Sequence, residues 1–184
     1  MQGMSLSTLS TIYHQGILPS VLYGICIWGN CSPTILENIE KIHTRAARFI
    51  HRVKRTIPDI HVLQQVGWIP IVEYYKRNIA CKTYKIYNEL SSPLLKKLLT
   101  KSTSTRVTRN ALKLDTPVFH YAEYKRSFSY RSAYVWNNLP MEIREKKSYE
   151  AFKLSLKKSN ALKKIYFTKF NSGKALDYQQ YVYY

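Results

Sequence analysis

The sequence predicts a mainly α fold, a small helical bundle followed by a loop-rich C-terminal segment with short helices. Three observations predict it. Apolar residues recur at three- and four-residue spacing through the longest patterned stretches, Pro33 to Ile57 and Ile71 to Leu90. Serine caps and first-turn prolines stand at Ser32-Pro33 and Ser92-Pro93, and Ser148 opens a further periodic run. Candidate extended pieces are confined to two short segments, Ala111 to Leu114 and Val118 to Tyr121.

Met1 to Gln15 is weakly patterned, with no evident cap. Ile17 to Trp28 is a hydrophobic helix or turn-helix stopped by Gly29-Asn30. Ser32-Pro33 then opens the clearest helix. Its apolar stripe is Leu36, Ile39, Ala46, Ile50 and Val53, widened by Ile35, Ile42 and Phe49. Pro58 disfavours helical geometry at the preceding residue, so this helix is expected to end near Ile57. Pro58 to Val66 reads as a short helix closed by Gly67. A longer one from Ile71 to Leu90 carries Tyr74, Tyr75, Tyr84 and Tyr87 among basic residues, as core rings or as stacking platforms. Short helices follow from Pro93 to Leu99, Arg131 to Leu139 and Ser148 to Ser159. Lys101 to Arg109 is a polar, basic loop. Lys163 to Tyr184 has no clear period and reads as a tail.

Composition narrows the function. Lysine and arginine number 29 against 11 acids, a net +18, which favours a polyanionic partner such as nucleic acid or acidic lipid. Sixteen tyrosines mix that basic surface with rings. Three cysteines, an odd number at wide spacing, fit a reduced intracellular protein better than a disulfide scaffold. The longest apolar run is about half a membrane span and contains Pro19 and Gly24, so a buried helix is expected there. The N-terminus lacks the order of a signal peptide. The expected location is therefore nucleus or cytoplasm, not secretion.

Several chemistries lack their residues. Two-metal nucleotidyl transfer needs paired carboxylates. Asp59, Asp115 and Asp177 are the only aspartates, each isolated in sequence. Six glycines never cluster into a phosphate-cradling loop. Four residues separate Cys26 from Cys31 and seven separate His43 from His51, neither a zinc-ligand spacing. No Gly-x-Ser-x-Gly elbow supports a hydrolytic triad. No catalytic residue, metal, cofactor or small-molecule substrate is expected.

The positive signal is basic. On a helix to Ile57, Lys41, Arg45, Arg48, Arg52 and Arg55 would fall on one narrow stripe, with no acid between Lys41 and Arg55. Like charges so placed weaken a helix by a few tenths of a kcal/mol per pair. Phosphates on the stripe would offset that cost and release counterions; a solvated face is the plainer alternative. Arg106 and Arg109, among hydroxyls, suit backbone contacts or a simple connector. Ser127 to Pro140 (SFSYRSAYVWNNLP) packs aromatic residues between hydroxyls and amides. Phe128, Tyr130, Trp136 and Pro140 are its expected structural anchor.

That last segment resembles the "SFxYRGAxLWNxLPxEI" signature of non-LTR (LINE-type) retrotransposon reverse transcriptases, with Ser132 in place of glycine. Other blocks resemble the same family in order. They are Leu18-Pro19 through Trp28-Gly29-Asn30, Ile39 to Ile50 (IEKIHTRAARFI), Leu63 to Trp68 (LQQVGW), Tyr84 to Leu95, Thr105 to Arg109, and Phe152-Lys153 with Leu156-Lys157. The resemblance spans roughly Ile12 to Lys158 and is nearest to jockey-like and chicken-repeat-like elements. It implies the polymerase thumb and C-terminal segment, with endonuclease, fingers and palm upstream. No Asp-Asp turn of the palm occurs in this chain.

By that reading, residues 1–16 are a truncated lead-in, 17–100 a thumb-like module and 101–126 a basic linker. Residues 127–160 form the aromatic and helical segment, and 161–184 a flexible tail. The implied partners are the phosphate backbone of RNA or an RNA–DNA duplex and the upstream palm and fingers; no membrane is expected. A host-adopted protein-interaction module and a non-functional remnant of a mobile element are the alternatives.

Overall fold

A computed structural model describes residues 4–102, 112–118 and 122–165. They are mainly helical, as the periodicity predicts. Contacts divide the chain within one helix, giving one compact unit through Tyr75 and a second from Lys76.

The first unit begins earlier than the sequence pattern suggests. Ser5 caps helix α1 (Leu6–Ile12), its hydroxyl accepting from the Thr8 N–H at 3.1 Å. The helical path runs on through a π turn (Tyr13–Ile17) into α2 (Leu18–Leu22), which carries Pro19 in its first turn. Helix α3 (Ile25–Trp28) follows. Its end needs glycine, because a Cβ on Gly29 would stand 2.4 Å from the Tyr75 ring. Then come α4 (Pro33–Ile50), capped by Ser32, and α5 (Asp59–Val66), ended by Gly67 at φ +72°.

Helix α4 buries Leu36, Ala47 and Ile50, but also Glu40, His43 and Thr44. Each polar side chain is satisfied. Ile71 and Val72 N–H groups donate to the two Glu40 carboxylate oxygens at 3.1 and 3.2 Å. Glu40 thereby caps α6 (Ile71–Tyr87) from a neighbouring helix, where a negative charge meets the positive end of the dipole. Thr44 donates back to the Glu40 carbonyl at 2.9 Å. With Tyr13, Leu18, Ile25, Val62, Leu63, Trp68 and Tyr75, these residues make the first core.

In the second unit, the remainder of α6 buries Ile79, Ala80, Tyr84 and Ile86. A 3₁₀ turn (Pro93–Leu98) follows, then one antiparallel bridge between Lys101 and Leu114. Another 3₁₀ turn (Ala122–Arg126) leads to α7 (Phe128–Asn137), α8 (Met141–Arg144), α9 (Tyr149–Lys158) and a last 3₁₀ turn (Ala161–Lys164). Ser127 caps α7 and Ser148 caps α9 through their hydroxyls.

Trp136, fully buried, is the centre of this core. It packs against Tyr87 at 5.2 Å and Phe152 at 6.0 Å, while Tyr84 stacks on Phe152 at 4.4 Å. These pairs add to burial by roughly 0.5–1.5 kcal/mol each. Trp136 Nε1 donates to the Leu112 carbonyl at 2.6 Å. Asn137 grips Leu114 twice, accepting from its N–H at 2.9 Å and donating to its carbonyl at 2.8 Å.

Candidate nucleic-acid interface

The basic stripe is built differently from its sequence pattern. Helix α4 stops at Ile50, well before Ile57, so Arg52 and Arg55 do not continue the helical face of Lys41, Arg45 and Arg48. Arg48 is the physical reason. Its guanidinium donates to the carbonyls of Lys54 at 2.6 Å and Ile57 at 2.8 Å, and to Asp59 Oδ1 at 2.6 Å. One side chain thus ties the segment from Lys54 to Asp59 back onto the helix. Its fork of donors satisfies carbonyls that a helix ending near Ile57 would have left without partners.

The reversal itself is a Schellman turn. Arg52 N–H donates to the Phe49 carbonyl at 3.3 Å and Val53 N–H to the Arg48 carbonyl at 3.0 Å. Such a turn needs one left-handed residue, and Arg52 takes that role at φ +52°. Any residue with a Cβ is strained there by roughly 1 kcal/mol, so glycine is the usual choice.

This turn gathers the cations. Arg45, Arg48, Arg52, Lys54 and Arg55 line one surface depression of about 660 Å³ together with Leu6, Leu9, Phe49 and Val53. Arg45, Arg52, Lys54 and Arg55 are exposed and pair with no acid among the described residues. Lys41 lies apart from the depression and pairs with Glu37 at 2.9 Å, one helical turn back. Glu37 and Asp59 both lie outside the acid-free interval from Lys41 to Arg55, so counting acids within it missed both pairings.

Of the residues expected from sequence, the fold therefore brings Arg45, Arg52 and Arg55 together as open cations. It uses Arg48 as the tie that holds their turn. Arg106 and Arg109 lie outside the described residues. Lys54 was overlooked, although Arg52-Val-Lys-Arg55 is the densest basic run of the region. Helical spacing places Phe49 in the core; instead 76% of its surface is exposed, and Ile35 and Ile42 are also exposed. The expected anchor residues separate by depth. Trp136 is buried in the second core, Phe128 and Tyr130 are half-buried, and Pro140 is exposed at the start of α8.

A cluster of rings gathers around Trp68. Trp68 stacks on Tyr13 at 4.7 Å and meets His43 at 5.3 Å and His51 at 5.5 Å. His43 Nε2 faces the Ile69 carbonyl at 3.1 Å, which can only accept, so that nitrogen carries the proton. Nδ1 then accepts from the Tyr13 hydroxyl at 2.6 Å. Burial pulls His43 down to about 4, against the opposing bond to Ile69, and it is neutral at pH 7. Burial, reinforced by Glu40, pushes the Tyr13 hydroxyl up to about 12, which keeps its proton available for His43. This is a fixed structural pair: both rings are spent on each other and the backbone.

Other candidates fare worse. A smaller depression of about 260 Å³ in the second unit holds Tyr87, Lys96 and Lys101, but its cations are engaged. Lys96 pairs with Glu89 at 2.7 Å, and Lys101 stands 4.4 Å above the Tyr87 ring. Burial pushes the Cys81 thiol up, away from reactive thiolate. No group of metal-ligating side chains occurs among the described residues, and no helix among them is long and apolar enough to cross a membrane.

No family model, curated protein or solved structure matches the chain.

Proposed function

We propose that this chain binds the phosphate backbone of RNA or an RNA–DNA duplex, without sequence preference, through Arg45, Arg52, Lys54 and Arg55. The observation that carries the reading is the convergence on one depression of these four exposed cations, none of them paired with an acid among the described residues. Like charges held together lower stability unless counter-charges occupy them, and phosphates are the counter-charges that a protein of net +18 attracts. The strained backbone of Arg52 supports the same reading, since strain is retained where a side chain must be aimed.

In this proposal the chain is the thumb and C-terminal piece of a non-LTR reverse transcriptase, with palm and fingers encoded elsewhere. The ordered series of sequence blocks supports that origin, and a mainly helical fold agrees with it. Lys41 and Arg48 drop out as principal contacts, one paired to Glu37 and the other spent on the turn.

The test is fluorescence polarisation of a labelled RNA–DNA duplex across a salt series. Affinity is expected to fall steeply with salt, and reversing charge at Arg45 and Arg55 together to make the slope shallower by about two phosphates. Affinity indifferent to both salt and charge reversal would sink the reading.

A further inference from the structure

The depression contains something that phosphate binding alone does not need. Its lining is partly apolar, Leu6, Leu9, Val53 and the Phe49 ring beside the cations, and that ring is left 76% exposed. Exposing a ring forgoes the burial that Leu36, Ala47 and Ile50 of the same helix achieve. A duplex backbone offers phosphates and sugars to such a surface, and its bases have both faces covered by their neighbours in the stack. An unpaired base, free to leave the stack, can offer a face to the ring while its phosphates reach the cations. Aromatic rings bordered by cations take such bases whatever their identity, because every base has a π-face.

We propose that the depression seats one unpaired nucleotide, its base stacked on Phe49 and its flanking phosphates held by Arg45 and Arg52. The inference rests on the nucleic-acid reading above and names its substrate class: single-stranded RNA, or a duplex end with an overhang, in preference to blunt duplex. Geometry agrees. Phe49 lies on the last turn of α4, one turn beyond Arg45 and three residues before Arg52, so the ring is bracketed by cations along the chain. The Arg48 tie to Lys54, Ile57 and Asp59 fixes the segment that carries Lys54 and Arg55 before any ligand arrives.

The experiment uses the full chain and three labelled probes: a single-stranded oligoribonucleotide, a blunt RNA–DNA duplex, and the duplex with one 2-aminopurine overhang. Stacking is expected to quench the 2-aminopurine. Phe49→Leu keeps an apolar side chain but removes the ring. It should abolish the quenching and weaken the single strand and the overhang roughly tenfold, while blunt-duplex affinity stays within about twofold. Phe49 is on the surface, and an unchanged thermal melt for the variant will verify that folding is intact. Salt-dependent binding of all three probes that Phe49→Leu leaves unaltered, or weakens equally, overturns the stacking proposal alone. Absence of salt-dependent binding to any probe overturns the nucleic-acid reading together with it.

Discussion

Helices α4 and α5 end in the same turn made from different residues. At the end of α5, Gly67 N–H donates to Gln64 and Trp68 N–H to Leu63, the bond pattern that Arg52 and Val53 repeat at the end of α4. The left-handed position is glycine in one, at φ +72°, and arginine in the other, at φ +52°. The α5 turn delivers Trp68 into the core; the α4 turn delivers Arg52, Lys54 and Arg55 to solvent around a depression. One turn is built for stability and carries no strain. The other accepts strain and like-charge crowding, which is the pattern expected where a side chain has work outside the fold.

The contrast breaks most visibly at Trp68. Trp68→Ala removes the ring that Tyr13, His43 and His51 pack upon, and should cost about 3–5 kcal/mol in a urea titration. A loss below 1 kcal/mol would mean that the α5 turn does not serve the core. Next in size is acid sensitivity. His43 is held at about 4 when folded against 6.5 when free, so unfolding takes up a proton between those values. Stability from this site is complete above pH 6.5 and declines as pH falls towards 4, by about 3 kcal/mol. Thermal melts across that window should show the decline, and His43→Gln should flatten it. Smaller again is Arg48→Ala, which takes the guanidinium donors from the Lys54 and Ile57 carbonyls, leaves Lys54 only the Ile57 N–H, and frees the segment carrying Lys54 and Arg55. It should cost about 1–3 kcal/mol, whereas Asp59→Asn, at an exposed partner, should cost under about 1 kcal/mol. Equal losses would show the ion pair, rather than the backbone tie, to hold the turn.

Sequence made one of these turns legible and concealed the other. Gly67 announced the end of α5, because glycine is the residue that a left-handed position usually requires. Arg52 announced nothing: an arginine in periodic surroundings reads as more helix, and Pro58 offered a plausible stop too late. The buried face of α4 was misjudged for a related reason. Glu40, His43 and Thr44 are inside because the α6 N-terminus, the Tyr13 hydroxyl and a backbone carbonyl satisfy them, and those partners lie on other elements or along the backbone. A hydrophobic pattern therefore turned the helix towards Ile35, Ile42 and Phe49, which face solvent. Caps were partly legible. Ser32 and Ser148 accept from N–H groups three residues on, as their local sequence predicts, whereas Ser92 makes no side-chain cap bond and α7 opens at Phe128 under Ser127, ahead of the expected start at Arg131. The cluster of cations was half legible, Arg45 from helical spacing and Arg52 to Arg55 only from the turn that folds them beside it.

Arg52→Gly is the most direct test of the central claim, because it separates the fold's interest from the function's. Glycine fits the left-handed position without strain, so the variant should gain about 0.5–1 kcal/mol in a urea titration. In the same preparation, affinity for single-stranded RNA should fall and its salt slope become shallower by about one phosphate. A more stable protein that binds RNA less well is the predicted result. A stability gain with affinity and salt slope unchanged would contradict the account, and leave the α4 turn as nothing more than the end of a helix.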